Sequence, residues 1–124
     1  MAAFACIASG NWNDGPTTWG TGAGVYPGSN VAAGDTVTIG LAKDVTLNVS
    51  PPYTISTIAI SGTTAHISVA GSYTLSLTGA TGITVTSTNA SGVFQVSAGT
   101  LTLTGACATV LLSCTAAGFG IVTS

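Results

Sequence analysis

The chain has 124 residues, of which only 3% are charged, and its formal net charge is −2. Ordinary soluble domains carry about 25% charged residues. One lysine and no arginine leave no basic patch for nucleic acid, and a 46% hydrophobic share excludes a disordered polar tract.

The length suits one domain with one real core. Thr and Ser stand where charged residues would normally be. A neutral, wet surface of that kind protects poorly against self-association, so the composition points to a subunit of a larger assembly.

In chain order, the run Met1–Ala8 has no Lys or Arg, and its apolar stretch is too short for a secretory signal. Intracellular synthesis is expected. Residues 1–35 are dense in turn chemistry, as in Ser9-Gly-Asn-Trp-Asn-Asp-Gly-Pro16 and Trp19-Gly-Thr-Gly-Ala-Gly-Val-Tyr-Pro-Gly28. They are expected to form a loop-rich cap or arm.

From residue 36 to 124 the texture becomes repetitive. Apolar residues recur two apart, with Thr or Ser between them. The runs are Thr36–Ile39, Val45–Val49, Ile55–Ile60, His66–Val69, Tyr73–Leu77, Ile83–Thr86, Val93–Val96, Leu101–Leu103, Val110–Leu112 and Ile121–Val122. Each is a half-buried strand pattern, and β-branched residues suit strands. No substantial helix is predicted. The most apolar stretch, Ala106–Leu112, is interrupted by Thr109 and falls far short of the roughly 20 residues of a membrane span.

Taken two strands at a time, the runs have a loose period of roughly twenty residues. Ile58/Ile60, Leu75/Leu77, Phe94/Val96 and Val110/Leu112 would then recur at similar points. The pattern predicts an all-β fold, a short parallel β-solenoid built of stacked coils. The alternative is a β-sandwich, which also has short strands every 8–12 residues or so.

The segment Gly10-Asn-Trp12, Asp14, Thr18-Trp19-Gly20, Pro27-Gly28, Gly34-Asp-Thr-Val-Thr-Ile39 and Asp44-Val-Thr-Leu-Asn48 resembles the opening of bacterial and phage β-helix proteins, and the first motif of G8-type domains. The resemblance covers residues 9–49. It implies that the Trp segment caps the first coil of a right-handed β-helix, and it says nothing of activity. In size and style the chain is also similar to the small decoration, or cement, proteins of tailed-phage capsids. That likeness implies a homotrimer on the outer capsid surface, bound to the major capsid protein. The virion subunit would be made in the host cytoplasm.

The chemical inventory is thin. General acid–base catalysis needs two positioned titratable groups, and the candidates are Asp14, Asp35, Asp44 and His66. Asp14, Asp35 and Asp44 occupy turn-like positions where Asp bonds local backbone. His66 lies within a strand. One histidine and no Gly-x-Ser-x-Gly elbow argue against nucleophilic catalysis. Cys6, Cys107 and Cys114 lack metal spacing and read as small apolar fillers, although Cys107 and Cys114 could pair on adjacent strands. No catalytic residue, no cofactor and no metal is expected.

Trp12, Trp19 and Tyr26 are the candidate cap or interaction residues. The two tryptophans either close the end of the core or offer a stacking platform to a glycan. A carbohydrate-binding or adhesin module is therefore the alternative function, and a polysaccharide lyase or hydrolase is the third.

Overall fold

The computed structural model describes residues 2–31, 34–79, 81–85, 93–105 and 109–112. Eleven strands lie among them: β1 (Ala3–Ala5), β2 (Gly10–Asn11), β3 (Asp35–Ile39), β4 (Asp44–Leu47), β5 (Ile55–Ile60), β6 (His66–Ala70), β7 (Tyr73–Leu77), β8 (Thr81–Val85), β9 (Phe94–Ala98), β10 (Leu101–Gly105) and β11 (Thr109–Leu112). Among the described residues the one helical element is a π-type turn, Gly15–Trp19. The protein is all-β.

Every strand pairing among the described residues is parallel. The antiparallel hairpins on which a β-sandwich relies do not occur among them. From β1 to β7 successive strands alternate between two sheets; β8 stays in the first sheet, β9 returns to the second, and β10 and β11 both lie in the first. The first runs β1-β3-β5 and then divides, with β7-β10 beside the start of β5 and β8-β11 beside its end. The second runs β2-β4-β6-β9. Parallel neighbours need a crossover connection, and here a strand of the opposite sheet supplies it.

The predicted strands fall on observed ones. Ile55–Ile60 and Tyr73–Leu77 match to the residue. The Ile121–Val122 run and the pairing of Cys107 with Cys114 lie outside the described residues. A boundary between 35 and 36 falls inside β3, and β1 and β2 belong to the same sheets as the later strands.

The register explains the core. In the first sheet Phe4 pairs with Val37, Val37 with Ile58, and Ile58 with Ile83. Ile39, Ile60 and Val85 form the next row. In the second sheet Val45, Ile67 and Phe94 align, as do Leu47, Val69 and Val96. All of these are buried except Val96, which is half-buried against the cluster. Full burial of each such side chain contributes about 1.5–3 kcal/mol.

The expected recurrence holds in part. The backbone of Val110 and Leu112 falls in line with Ile83 and Val85, and so with Ile58 and Ile60. Leu75 and Leu77 do not: Leu75 pairs with Leu103, and Leu77 with Ile55. Phe94 and Val96 belong to the second sheet. The cause is an insertion. β5 is met by two strands, β7 at Ile55 and β8 at Ile58–Ile60. The chain leaves the ladder between them, where Thr78 and Gly79 donate to the carbonyls of Ile55 and Ser56. Gly79 permits this, because a Cβ there would lie 2.3 Å from the Ser56 oxygen. Strands that all alternate Thr with Ile, Leu or Val can pair in several ways, and the turns choose among them.

Ile58 is fully buried at the point where β3, β5 and β8 meet. Ile58→Ala is expected to cost about 3–5 kcal/mol through lost transfer energy and a residual cavity. Urea titration followed by circular dichroism reads this directly; a cost under 1 kcal/mol would contradict a well-packed site.

Candidate functional site

The aromatic cluster starts from local turn chemistry. Asp14 accepts a hydrogen bond from the Thr17 amide at 3.1 Å, the side-chain capping that Asp favours before a helical turn. Pro16 sits in the first turn, and Gly20 closes it in the left-handed region at φ 68°. Gly15 must be glycine, since a Cβ would lie 2.3 Å from the Gly22 oxygen. The turn is tied to the first strands. Thr18, fully buried, donates through Oγ1 to the Asn11 carbonyl at 2.8 Å, and its own carbonyl accepts from Ile7.

This geometry drives both tryptophans inward. Trp12 is 0% exposed and Trp19 is 4% exposed. Their rings meet edge to face at 5.4 Å, and Phe4 meets Trp19 the same way at 6.1 Å. Trp12 Nε1 donates to the Pro27 carbonyl at 3.0 Å, and Trp19 Nε1 donates to the Trp12 carbonyl at 2.7 Å. Phe4 lies on the edge strand of the first sheet, and Trp12 follows the edge strand of the second. The cluster therefore closes the terminal layer of the core. Neither tryptophan offers a free face for stacking a sugar. Tyr26 is half-buried against the same core, and Tyr53 is exposed.

Asp35 departs from the expected local bonding. It is 3% exposed. Its two oxygens accept from Ala2 N and Gly28 N, each at 2.9 Å. The carboxylate is thus a long-range tie between the first strand and the Pro27-Gly28 turn. Gly28 has φ 77°, and a Cβ there would lie 2.6 Å from Pro51, so glycine lets the backbone reach Asp35.

Asp44 and His66 form a second grouping that sequence reasoning left apart. They are register partners on β4 and β6. Asp44 Oδ1 lies 3.2 Å from His66 Nε2 and accepts from Ser68 Oγ at 2.8 Å. His66 Nδ1 lies 2.8 Å from the Thr64 carbonyl. The Asp44 amide donates to Ser9 Oγ at 2.9 Å. A signal was present: each residue opens a strand whose next apolar residues, Val45/Leu47 and Ile67/Val69, match. Aligning those runs would have aligned Asp44 with His66.

The grouping does not activate a nucleophile. The carboxylate sits in the middle, so Ser68 donates to Asp44 and not to the imidazole that would have to take its proton. No group of three or more metal-ligating side chains is found among the described residues. Lys43, on the same corner, donates to the Leu41 carbonyl at 3.4 Å.

Apart from buried Asp35, the strands of the first sheet carry no Asp, Glu, Lys, Arg or His among the described residues. Between their buried rows they carry Thr36, Thr38, Thr57, Ala59, Thr84, Thr74, Ser76, Thr102 and Thr104, all half-buried or exposed. Ser76 and Thr104 hydroxyls meet across the ladder at 3.1 Å. Lys43, Asp44 and His66 gather at and beside the turns that lead into the second sheet.

Comparison with protein-family models, curated proteins and solved structures finds no match to this chain.

Two measurements check this arrangement. Acrylamide should quench little of the tryptophan emission of the folded chain, and soluble oligosaccharides should leave that emission unchanged. Strong quenching would mean exposed rings. Burial also pushes the half-buried Cys6 thiol above its usual range, so alkylation at neutral pH should be slow by peptide mapping and should accelerate only in alkali. Above about pH 9 the unfolded chain releases this proton more readily than the folded one, so stability falls as pH rises there.

Proposed function

We propose that the chain is a structural protein, a short right-handed parallel β-solenoid that decorates an assembled phage capsid. The supporting observation is the separation of charge from face. The outward face of the first sheet bears hydroxyls and no charge, while Lys43, Asp44 and His66 sit at the turns that lead into the second. Such a face packs against another neutral surface without burying an unpaired charge. Parallel pairing of each strand with one roughly a full turn later supports the solenoid, and right-handed crossovers are the rule for parallel strands.

On this reading the chain acts by binding. It associates as a homotrimer, since closed symmetry is the common solution for identical subunits. It attaches to the major capsid protein on the outside of the virion. Binding the assembled shell, but not its free parts, stabilises the shell by mass action. Hydroxyl and backbone contacts dominate, so attachment depends little on salt. The glycan-binding alternative loses its platform with the burial of Trp12 and Trp19.

Light scattering across a size-exclusion peak should give three times the 12.0 kDa chain mass. Particles made without the chain should lose their contents at lower temperature than complete ones, and adding the purified chain should restore them. A stable monomer, together with particles indifferent to its absence, would overturn the proposal.

A further inference from the structure

The chain's one histidine stands between two acceptors. His66 Nδ1 lies 2.8 Å from the Thr64 carbonyl oxygen, and Nε2 lies 3.2 Å from Asp44 Oδ1. A carbonyl and a carboxylate can only accept, so each contact needs a proton on the ring nitrogen. A neutral imidazole carries one N–H, and an imidazolium carries two. The arrangement is therefore complete only when the ring is charged. Both contacts belong to one corner. Thr64 sits in the turn before β6 at φ 63°, a left-handed backbone that strains a β-branched residue. Asp44 opens β4, the strand beside β6.

We propose that His66 is a proton-operated clasp that fixes the turn at residues 61–65 to β4. Charged, the ring donates to both acceptors and ties the Thr64 carbonyl to Asp44. When Nδ1 gives its proton to water, one N–H remains. It stays with Asp44, because a hydrogen bond to an ionised acceptor is about twice as strong as one between neutral groups. The Nδ1 lone pair then faces the Thr64 carbonyl, the two acceptors repel, and the strained turn is released. Histidine side chains change charge between about pH 5 and 8, so the clasp closes towards the acid end of that range and opens towards the alkaline end.

Few other groups act on this ring. Beside Asp44, the charged group on the corner is Lys43, whose ammonium bonds the Leu41 carbonyl at 3.4 Å. Cys6 lies on the turn before β2, and burial raises its thiol further above this pH range. Among the described residues β2, β6 and β9 carry no other titratable side chain. The clasp has a local target. The Ala42 amide donates to the Thr63 carbonyl at 2.9 Å, and Gly62 backs onto Leu41, where a Cβ would lie 2.9 Å from Leu41 Cα. Leu41 itself is 63% exposed. Releasing the turn loosens the support beneath an exposed apolar side chain, so one proton sets how firmly this corner is held.

The test is nuclear magnetic resonance on the full chain, where a single imidazole gives an unambiguous signal. At about pH 5 both ring nitrogens should carry protons, and at about pH 8 only Nε2 should. The amide signals of residues 61–65 should move with the same midpoint as the ring. Exchange of the Ala42 amide, corrected for its intrinsic pH dependence, should rise about tenfold across this range. In His66→Gln the turn signals should stop moving between these limits. A neutral ring protonated at Nδ1, or turn signals that ignore the titration of the ring, would overturn the proposal. The comparison across pH in the unaltered chain stands even if His66→Gln fails to fold.

Discussion

The structure depends on one constraint: parallel strands must pair so that apolar rows coincide. Side chains alternate between the two faces of a strand, so a slip of one residue would carry a whole apolar row into water. Here the rows Phe4–Val37–Ile58–Ile83 and Val45–Ile67–Phe94 coincide, and the Thr and Ser residues between them face outward. With so few charges to solvate the surface, these hydroxyls take that role.

A stacked arrangement of this kind leaves a terminal layer whose edges invite further pairing. Three devices close the N-terminal side. The edge strands β1 and β2 are short, three and two residues. The Gly15–Trp19 turn places Trp19 against Trp12 and Phe4. Asp35 then ties Ala2 and the Pro27-Gly28 turn to the start of β3. Each depends on the others: Trp12 Nε1 bonds the carbonyl of Pro27, next to the glycine that Asp35 holds. The aromatic residues that suggested ligand binding serve the closure of the core.

Placement of the few charges shapes the functional reading. Asp14 caps a turn, Asp35 is buried, and Lys43, Asp44 and His66 lie at or beside one set of turns. What remains on the first sheet is a neutral face. The Asp44–His66–Ser68 contacts lie across β4 and β6, and their order, with the carboxylate between hydroxyl and imidazole, suits cohesion between neighbouring strands. That neutral face is what supports the proposed role in assembly.

Much of this was legible in the residues themselves. Alternation of Ile, Val and Leu with Thr and Ser located β3 to β11 to within a residue or two, because side-chain period is a local property of extended backbone; β1 and β2, three and two residues long, carry too little pattern to be read. The clustering of Gly, Asn and Pro before residue 35 marked a turn-rich start for the same local reason. Long-range relations were not legible. Leu75 and Ile83 sit in equivalent patterns, and only the chain leaving the ladder after Leu77 decides which of them follows Ile58. Asp35 looks like any turn aspartate until Ala2 and Gly28 are brought to it, and Asp44 meets His66 only once β4 and β6 are in register. Local residue chemistry determined the strands and the neutral surface. The pairing of distant strands decided the core rows, the buried carboxylate and the closed end, because those depend on which equivalent pattern stacks on which.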